Sequence, residues 1–182
     1  MTGGRDAPAH VQQVLEERAR ALAKPAHPDP SGDTIEVVLF DLEGETYALE
    51  ANAVWEVFRL EALSPLPGAR PPVFGVTSWR GAVLTILDLR QVLGLPAGGV
   101  TDVSRVILLG TQRPAFGILA DAVRELVVLH RHDVREPPQG VALKREYLAG
   151  ITGDAVPVLA GHELLRRHAR SALPSTHLGL GG

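Results

Sequence analysis

A chain of 182 residues with 18 basic and 21 acidic side chains has a formal charge of −3, with both signs intermingled, so no broad electrostatic attraction to nucleic acid or to an anionic membrane is expected. Its zero cysteines exclude a disulfide scaffold and every thiolate metal site, and no apolar run approaches the roughly 20 residues of a bilayer-spanning helix, so no direct membrane insertion is expected. Apolar residues make up 45% but aromatic ones only 4%, which implies a sizeable core of Val, Leu, Ile and Ala, while 14 prolines and 19 glycines argue against a long helical bundle.

In chain order, Val11, Val14, Leu15, Ala19 and Leu22 recur at helical spacing, with Glu16, Glu17, Arg18 and Arg20 on the polar side, so a modest amphipathic helix is expected near the N-terminus. Lys24-Pro25 ends it, and the Pro25 to Gly32 stretch reads as a linker. Residues 1–31 are thus expected to be helix and proline-rich linker, 32–168 the body, and 169–182 a flexible tail. The helix docks either on the body or on a partner.

From Thr34 onward the pattern turns to short β-like runs, Ile35 to Leu42, Thr46 to Leu49 and Val54 to Leu60, separated by Glu43-Gly44-Glu45 and a short polar interval. Further strands are expected at Val83 to Leu87 and from Val103 to Leu109. Asp88 caps a short helix over Leu89 to Leu93, with Gln91 at the capping-box position and Gly94 as its stop. A terminal helix over His162 to Arg167 packs by Leu164 and Leu165.

An internal echo runs through these elements. Tyr47-Ala48-Leu49 followed by Ala53-Val54-Trp55-Glu56-Val57 is answered, at constant offset, by Phe116-Gly117-Ile118 followed by Ala122-Val123-Arg124-Glu125-Leu126. Gly81 to Leu87 likewise parallels Gly153 to Leu159. Two similar β units are implied, the plainer alternative being that short apolar strands resemble one another.

The most informative stretch is Phe74 to Leu89, where Ser78-Trp79-Arg80-Gly81 forms a glycine-bounded bend between apolar runs. Arg80 reads as displayed, a directional donor suited to gripping another protein, and Trp79 reads either as contact area beside it or as the end of a subdomain core. Ser78, Trp79, Arg80, Gly81 and Glu56 are the candidate partner-binding residues. The competing reading of Arg80 is a local ion pair that fixes its loop.

Catalytic and metal chemistry find little support. His130-Arg131-His132-Asp133 is read as a solvated polar turn, and His162-Glu163 as a helix start. Ser78 and Ser104 lie in no nucleophile elbow, Asp88 caps a helix, and Asp121 fixes a turn through backbone hydrogen bonds. Gly98-Gly99 lacks the lysine and hydroxyl of a phosphate loop. No catalytic residue, metal or cofactor is expected.

The succession Phe40-Asp41-Leu42, Gly44, Tyr47-Ala48-Leu49, Val54-Trp55-Glu56-Val57, Pro65-Leu66-Pro67-Gly68, Phe74-Gly75-Val76, Trp79-Arg80-Gly81, Ile86-Leu87-Asp88-Leu89 and Gly117 to Val123 closely resembles the CheW family of chemotaxis coupling proteins, over about Asp33 to Arg167. The bend of that family usually reads Asn-Leu-Arg-Gly, and here Ser78 and Trp79 stand before the shared arginine and glycine. The resemblance implies a mainly β protein of two intertwined five-stranded SH3-like barrels with short helices and no catalytic centre. It implies a cytoplasmic adaptor at chemoreceptor arrays, with partners in the regulatory domain of a CheA-type histidine kinase, the cytoplasmic tip of a chemoreceptor, and other CheW-like domains. Arg80 is the residue carried over to the family's receptor-coupling arginine. A standalone interaction module and a small metal-dependent hydrolase are the alternatives.

Overall fold

The structure is a computed structural model that describes residues 33–96 and 105–170. The expected N-terminal helix and linker, Gly98-Gly99, the start of the run at Val103-Ser104 and the tail beyond Arg170 lie outside the described residues. Ten strands, two α-helices and three single 3₁₀ turns make up the rest. Among the described residues no helix is long and apolar enough to cross a membrane.

The first sheet orders its strands β8 (Ala122–His130), β1 (Thr34–Leu42), β2 (Glu45–Glu50), β10 (Pro157–Leu159) and β9 (Leu148–Ile151). The second orders them β3 (Val54–Arg59), β6 (Arg105–Gly110), β7 (Pro114–Ala120), β5 (Ala82–Leu87) and β4 (Val73–Trp79). Helix α1 (Leu89–Leu93) follows β5, and α2 (Gly161–His168) follows β10.

The sequence echo has a physical counterpart in strand register. β2 meets β10 in parallel at Ala48↔Val158 and Leu49↔Leu159, while β7 meets β5 in parallel at Gly117↔Ile86 and Ile118↔Leu87. These are the residues that the two echoes align. The outer strands repeat too, since β8 and β3 each bulge just after their first pairs with β1 and β6. Yet the two halves of the chain do not form one sheet each. Each half gives a hairpin to one sheet and three strands to the other, so β3 pairs with β6 instead of with its neighbour β2. Two sheets built this way are intertwined by their connections.

Alternation of side chains along the strands divides the interior into three parts. Val37, Ala48 and Val158 fill the inner face of the first sheet. Leu84, Ile86, Val106, Leu108 and Leu119 fill that of the second. A larger cluster holds Phe40, Tyr47, Leu49, Leu87, Leu93, Leu109, Phe116, Ile118, Leu159 and Leu164. Few as the aromatic residues are, Phe40 and Phe116 are among its largest fully buried side chains, so aliphatic residues fill the core around an aromatic minority.

The helix ends follow local chemistry. The Asp88 carboxylate accepts from Arg90 N–H, and Gly94 closes α1 in the left-handed region at φ 84°. The expected capping box is incomplete: Asp88 N–H donates to the Pro72 carbonyl, so the Gln91 amide instead donates to the Asp88 carboxylate at 3.3 Å. In α2, Leu164 is buried and Leu165 partly so, as expected. With Ala160 at the cap position, Glu50 accepts from Gly161 N–H in place of a capping side chain.

Candidate partner-binding surface

The pairing of Trp79 with Ala82 leaves Arg80-Gly81 as a two-residue turn between β4 and β5. Both have positive φ, 48° and 80°, the mirror-type geometry whose twist suits a hairpin. Glycine takes this conformation freely, whereas an arginine there is strained by about 1–2 kcal/mol. The turn places Arg80 at the tip of the hairpin, with its side chain 69% exposed.

Two contacts orient that guanidinium. Arg80 Nη2 lies 2.9 Å from Glu56 Oε2, and Arg80 Cζ stands 5.0 Å from the centre of the Trp79 ring. Exposed ion pairs of this kind contribute at most about 1 kcal/mol, and a cation over an exposed ring a similar amount, so together they aim the group more than they stabilise the fold. Glu56 sits on β3 and Arg80 follows β4, the two outer strands of one sheet, so the ion pair joins side chains from its two edges. Ser64 and Val76 exchange backbone hydrogen bonds at 2.8 Å, and Thr77 Oγ1 donates to the Ala62 carbonyl at 2.6 Å, holding the β3–β4 connection along β4.

All five candidates therefore fall around one hairpin tip. The half-buried Trp79 ring packs on the Leu84 and Ile86 cluster, as expected for the end of a subdomain core, and it also faces the Arg80 cation. Its indole N–H is buried without a hydrogen-bond partner among the described residues. Ser78 is exposed and pairs across the hairpin with Val83, itself 65% exposed. Glu56, Phe58, Arg59, Glu61, Thr77 and Ser78 join Trp79 and Arg80 around an open groove of about 310 Å³.

Sequence reasoning missed Phe58, Arg59, Glu61 and Val83 as neighbours of that tip. The alternation Glu56, Phe58 along β3 held part of the signal, but which strand lies opposite is a tertiary fact. It also missed Arg90, which is 4% exposed and donates to Asp88 Oδ1 at 2.8 Å and to Glu43 Oε1 at 2.6 Å. The hydrogen bond to Asp88 is the largest cause holding the Arg90 guanidinium above its ordinary pKa. Glu43 lies in the β1–β2 turn, and its own N–H donates to Asp121 Oδ2 at 2.7 Å. Asp121 fixes a turn as expected, and Asp88 and Asp121 both act as structural acceptors.

Three of the described histidines contact neighbouring rings or hydroxyls. His130 ends β8 and His132 lies in the exposed 3₁₀ turn Arg131–Asp133, their rings stacked at 5.1 Å. His168 Nε2 lies 2.9 Å from the Tyr147 hydroxyl, and burial first, then the Arg167 and Lys144 cations, pushes its pKa down. Among the described residues no group of three or more metal-ligating side chains converges.

The family profile described as the CheW-like domain matches residues 36–169. The protein FrzA of Myxococcus xanthus is 31% identical over 132 residues, covering 72% of this chain and 79% of that protein. The chemotaxis protein CheW of Bacillus subtilis is 28% identical over 105 residues, 58% of this chain and 67% of its own length. The crystal structure of the scaffolding protein TtCheW from Thermoanaerobacter tengcongensis superposes with a TM-score of 0.61 at 23% identity, over 75% of this chain and 89% of that one, a likeness of fold.

Proposed function

The chain belongs to the CheW family, the non-enzymatic adaptors that couple chemoreceptors to the histidine kinase CheA in chemotaxis signalling, and on that premise we propose that it makes its receptor-facing contact through the Arg80 turn. The observation that carries this reading is the exposed, strained and doubly oriented Arg80. A guanidinium held over a ring and beside a carboxylate keeps further donor sites directed outward, suited to a carboxylate or carbonyl on a receptor's cytoplasmic tip. Glu56, Ser78, Trp79 and Gly81 form the rest of this surface.

In this reading the partners are the regulatory domain of a CheA-type kinase and the receptor tip, the two sheets close as SH3-like barrels, and the protein works within receptor arrays in the cytoplasm. Coupling is noncovalent and needs no cofactor. The experiment is receptor-dependent kinase activation in reconstituted complexes, with kinase-domain binding and melting curves alongside. Arg80→Ala is expected to lose most activation while keeping its melting temperature and kinase-domain binding. Wild-type activation by that variant rejects the role of Arg80, and simultaneous loss of folding and all binding assigns it to the local loop instead.

A further inference from the structure

Among the described residues, the second half of the chain leaves open a place that the first half fills. The β1–β2 and β6–β7 hairpins occupy equivalent positions, as do α1 and α2. In the first pair, Leu42 is buried in the same cluster as Leu93 of α1, and Glu43 beside it reaches Arg90 on that helix. At the equivalent hairpin positions the chain has Thr111 and Gln112, both exposed. The aliphatic plug and the acid next to it are missing. What remains among the described residues is an open groove of about 390 Å³, lined by Thr111, Gln112, Arg113, Ala115, Leu165 and Ala169.

The groove has an apolar floor and a basic rim. Ala115, Leu165 and Ala169 pack from below on the main cluster. Arg113 lies on its wall, and Arg170 follows Ala169; neither has a carboxylate partner among the described residues, whereas Arg166 and Arg167 are already tied to Glu163 at 2.5 and 3.1 Å. Arg113 on the wall of an aliphatic seat, without a carboxylate partner among the described residues, complements an acidic ligand.

We propose that this groove is a docking surface for a partner protein segment in which an aliphatic residue of about leucine size is followed by an acidic one. The aliphatic side chain covers Ala115, Leu165 and Ala169, at the place equivalent to that of Leu42 in the cluster it shares with Leu93, and the acid meets Arg113. The proposal is independent of the role of Arg80, which lies on the other hairpin of the second sheet.

The test uses full-length, ¹⁵N-labelled protein and the end-blocked peptide Asp-Leu-Glu-Gly-Glu, the chain's own sequence at 41–45, titrated to about 5 mM by NMR. Expected are shifts concentrated at Thr111, Ala115, Leu165 and Ala169, about tenfold weaker binding to Arg113→Glu, and loss of binding to the groove-filling Ala169→Leu variant with its other amide signals in place. Absence of shifts, or equal binding to Arg113→Glu with the amide pattern intact, overturns the proposal. Contacts from the Leu173 methyls to Ala169 in the free protein also overturn it, because the chain's own C-terminal residues then occupy the groove.

Discussion

Glu56 stands on one outer strand of a five-stranded sheet and Arg80 in the turn that follows the other, yet their side chains meet at 2.9 Å. The pair joins side chains from the two edges of the sheet at the point where the chain turns with two consecutive positive-φ residues. Folding geometry and the proposed contact surface are thereby separable at this turn, because the backbone there prefers a residue other than arginine.

Arg80→Asn uses that separation. Asparagine tolerates the left-handed region and, followed by Gly81, forms the favoured hairpin dipeptide, so the variant is expected to gain up to about 1 kcal/mol in chemical denaturation despite losing the Glu56 pair. Receptor-dependent kinase activation is expected to fall sharply in the same protein. A variant that is more stable and less able to couple excludes unfolding as the cause of the defect.

For Trp79, the half-buried ring and its Arg80 contact predict a combined effect. Trp79→Ala is expected to lower stability by about 2–3 kcal/mol, less than for a fully buried tryptophan, and to weaken coupling because Arg80 loses its support. Trp79→Phe retains a ring against Leu84 and Ile86 and is expected to stay within about 1 kcal/mol of wild type. Thermal melting read beside activation distinguishes the two substitutions.

Arg90 is expected to matter for folding. Its removal in Arg90→Ala leaves Asp88, 3% exposed, without its charge partner, and releases Glu43 from α1. Breaking a buried pair from one side costs about 3–5 kcal/mol, so the denaturation midpoint should fall steeply. A wild-type midpoint in Arg90→Ala contradicts this assignment.

The pH response centres on His168. Burial and the nearby Arg167 and Lys144 cations depress its pKa in the folded state, so the unfolded chain binds the proton more readily. The stability from keeping the ring neutral is fully present above the ordinary imidazole value of about 6.5 and is lost as pH falls through the lower folded value. Melting temperature is therefore expected to drop on acidification below about pH 6.5, and to drop less in His168→Gln. Parallel profiles for the two proteins contradict this.

How far the sequence reached follows from the range of each interaction. The β1, β2, β3 and β5 strands, helix α1 with its Asp88 start and Gly94 stop, and α2 with Leu164 inward were all legible, because side-chain alternation, caps and left-handed glycines act within a few residues. The echo between Tyr47-Ala48-Leu49 and Phe116-Gly117-Ile118 was legible for the same reason: equivalent strands repeat an apolar pattern. The grouping of Ser78, Trp79, Arg80 and Gly81 was legible as a bend between two apolar runs.

Tertiary structure alone decided which hairpin each outer strand joins. A repeated pattern fits either copy of its partner, so β3 pairing with β6, and β8 with β1, is invisible to periodicity. It alone brought Arg90 to Glu43, 47 residues away in the chain, and closed the capping-box position by committing Asp88 N–H to Pro72. It also decided that Leu42 is buried in the main cluster while Thr111, at the equivalent place, is exposed. Sequence fixes what each short segment prefers to be, and the meeting of distant segments is set by shared burial, which has no signature at either end of the contact.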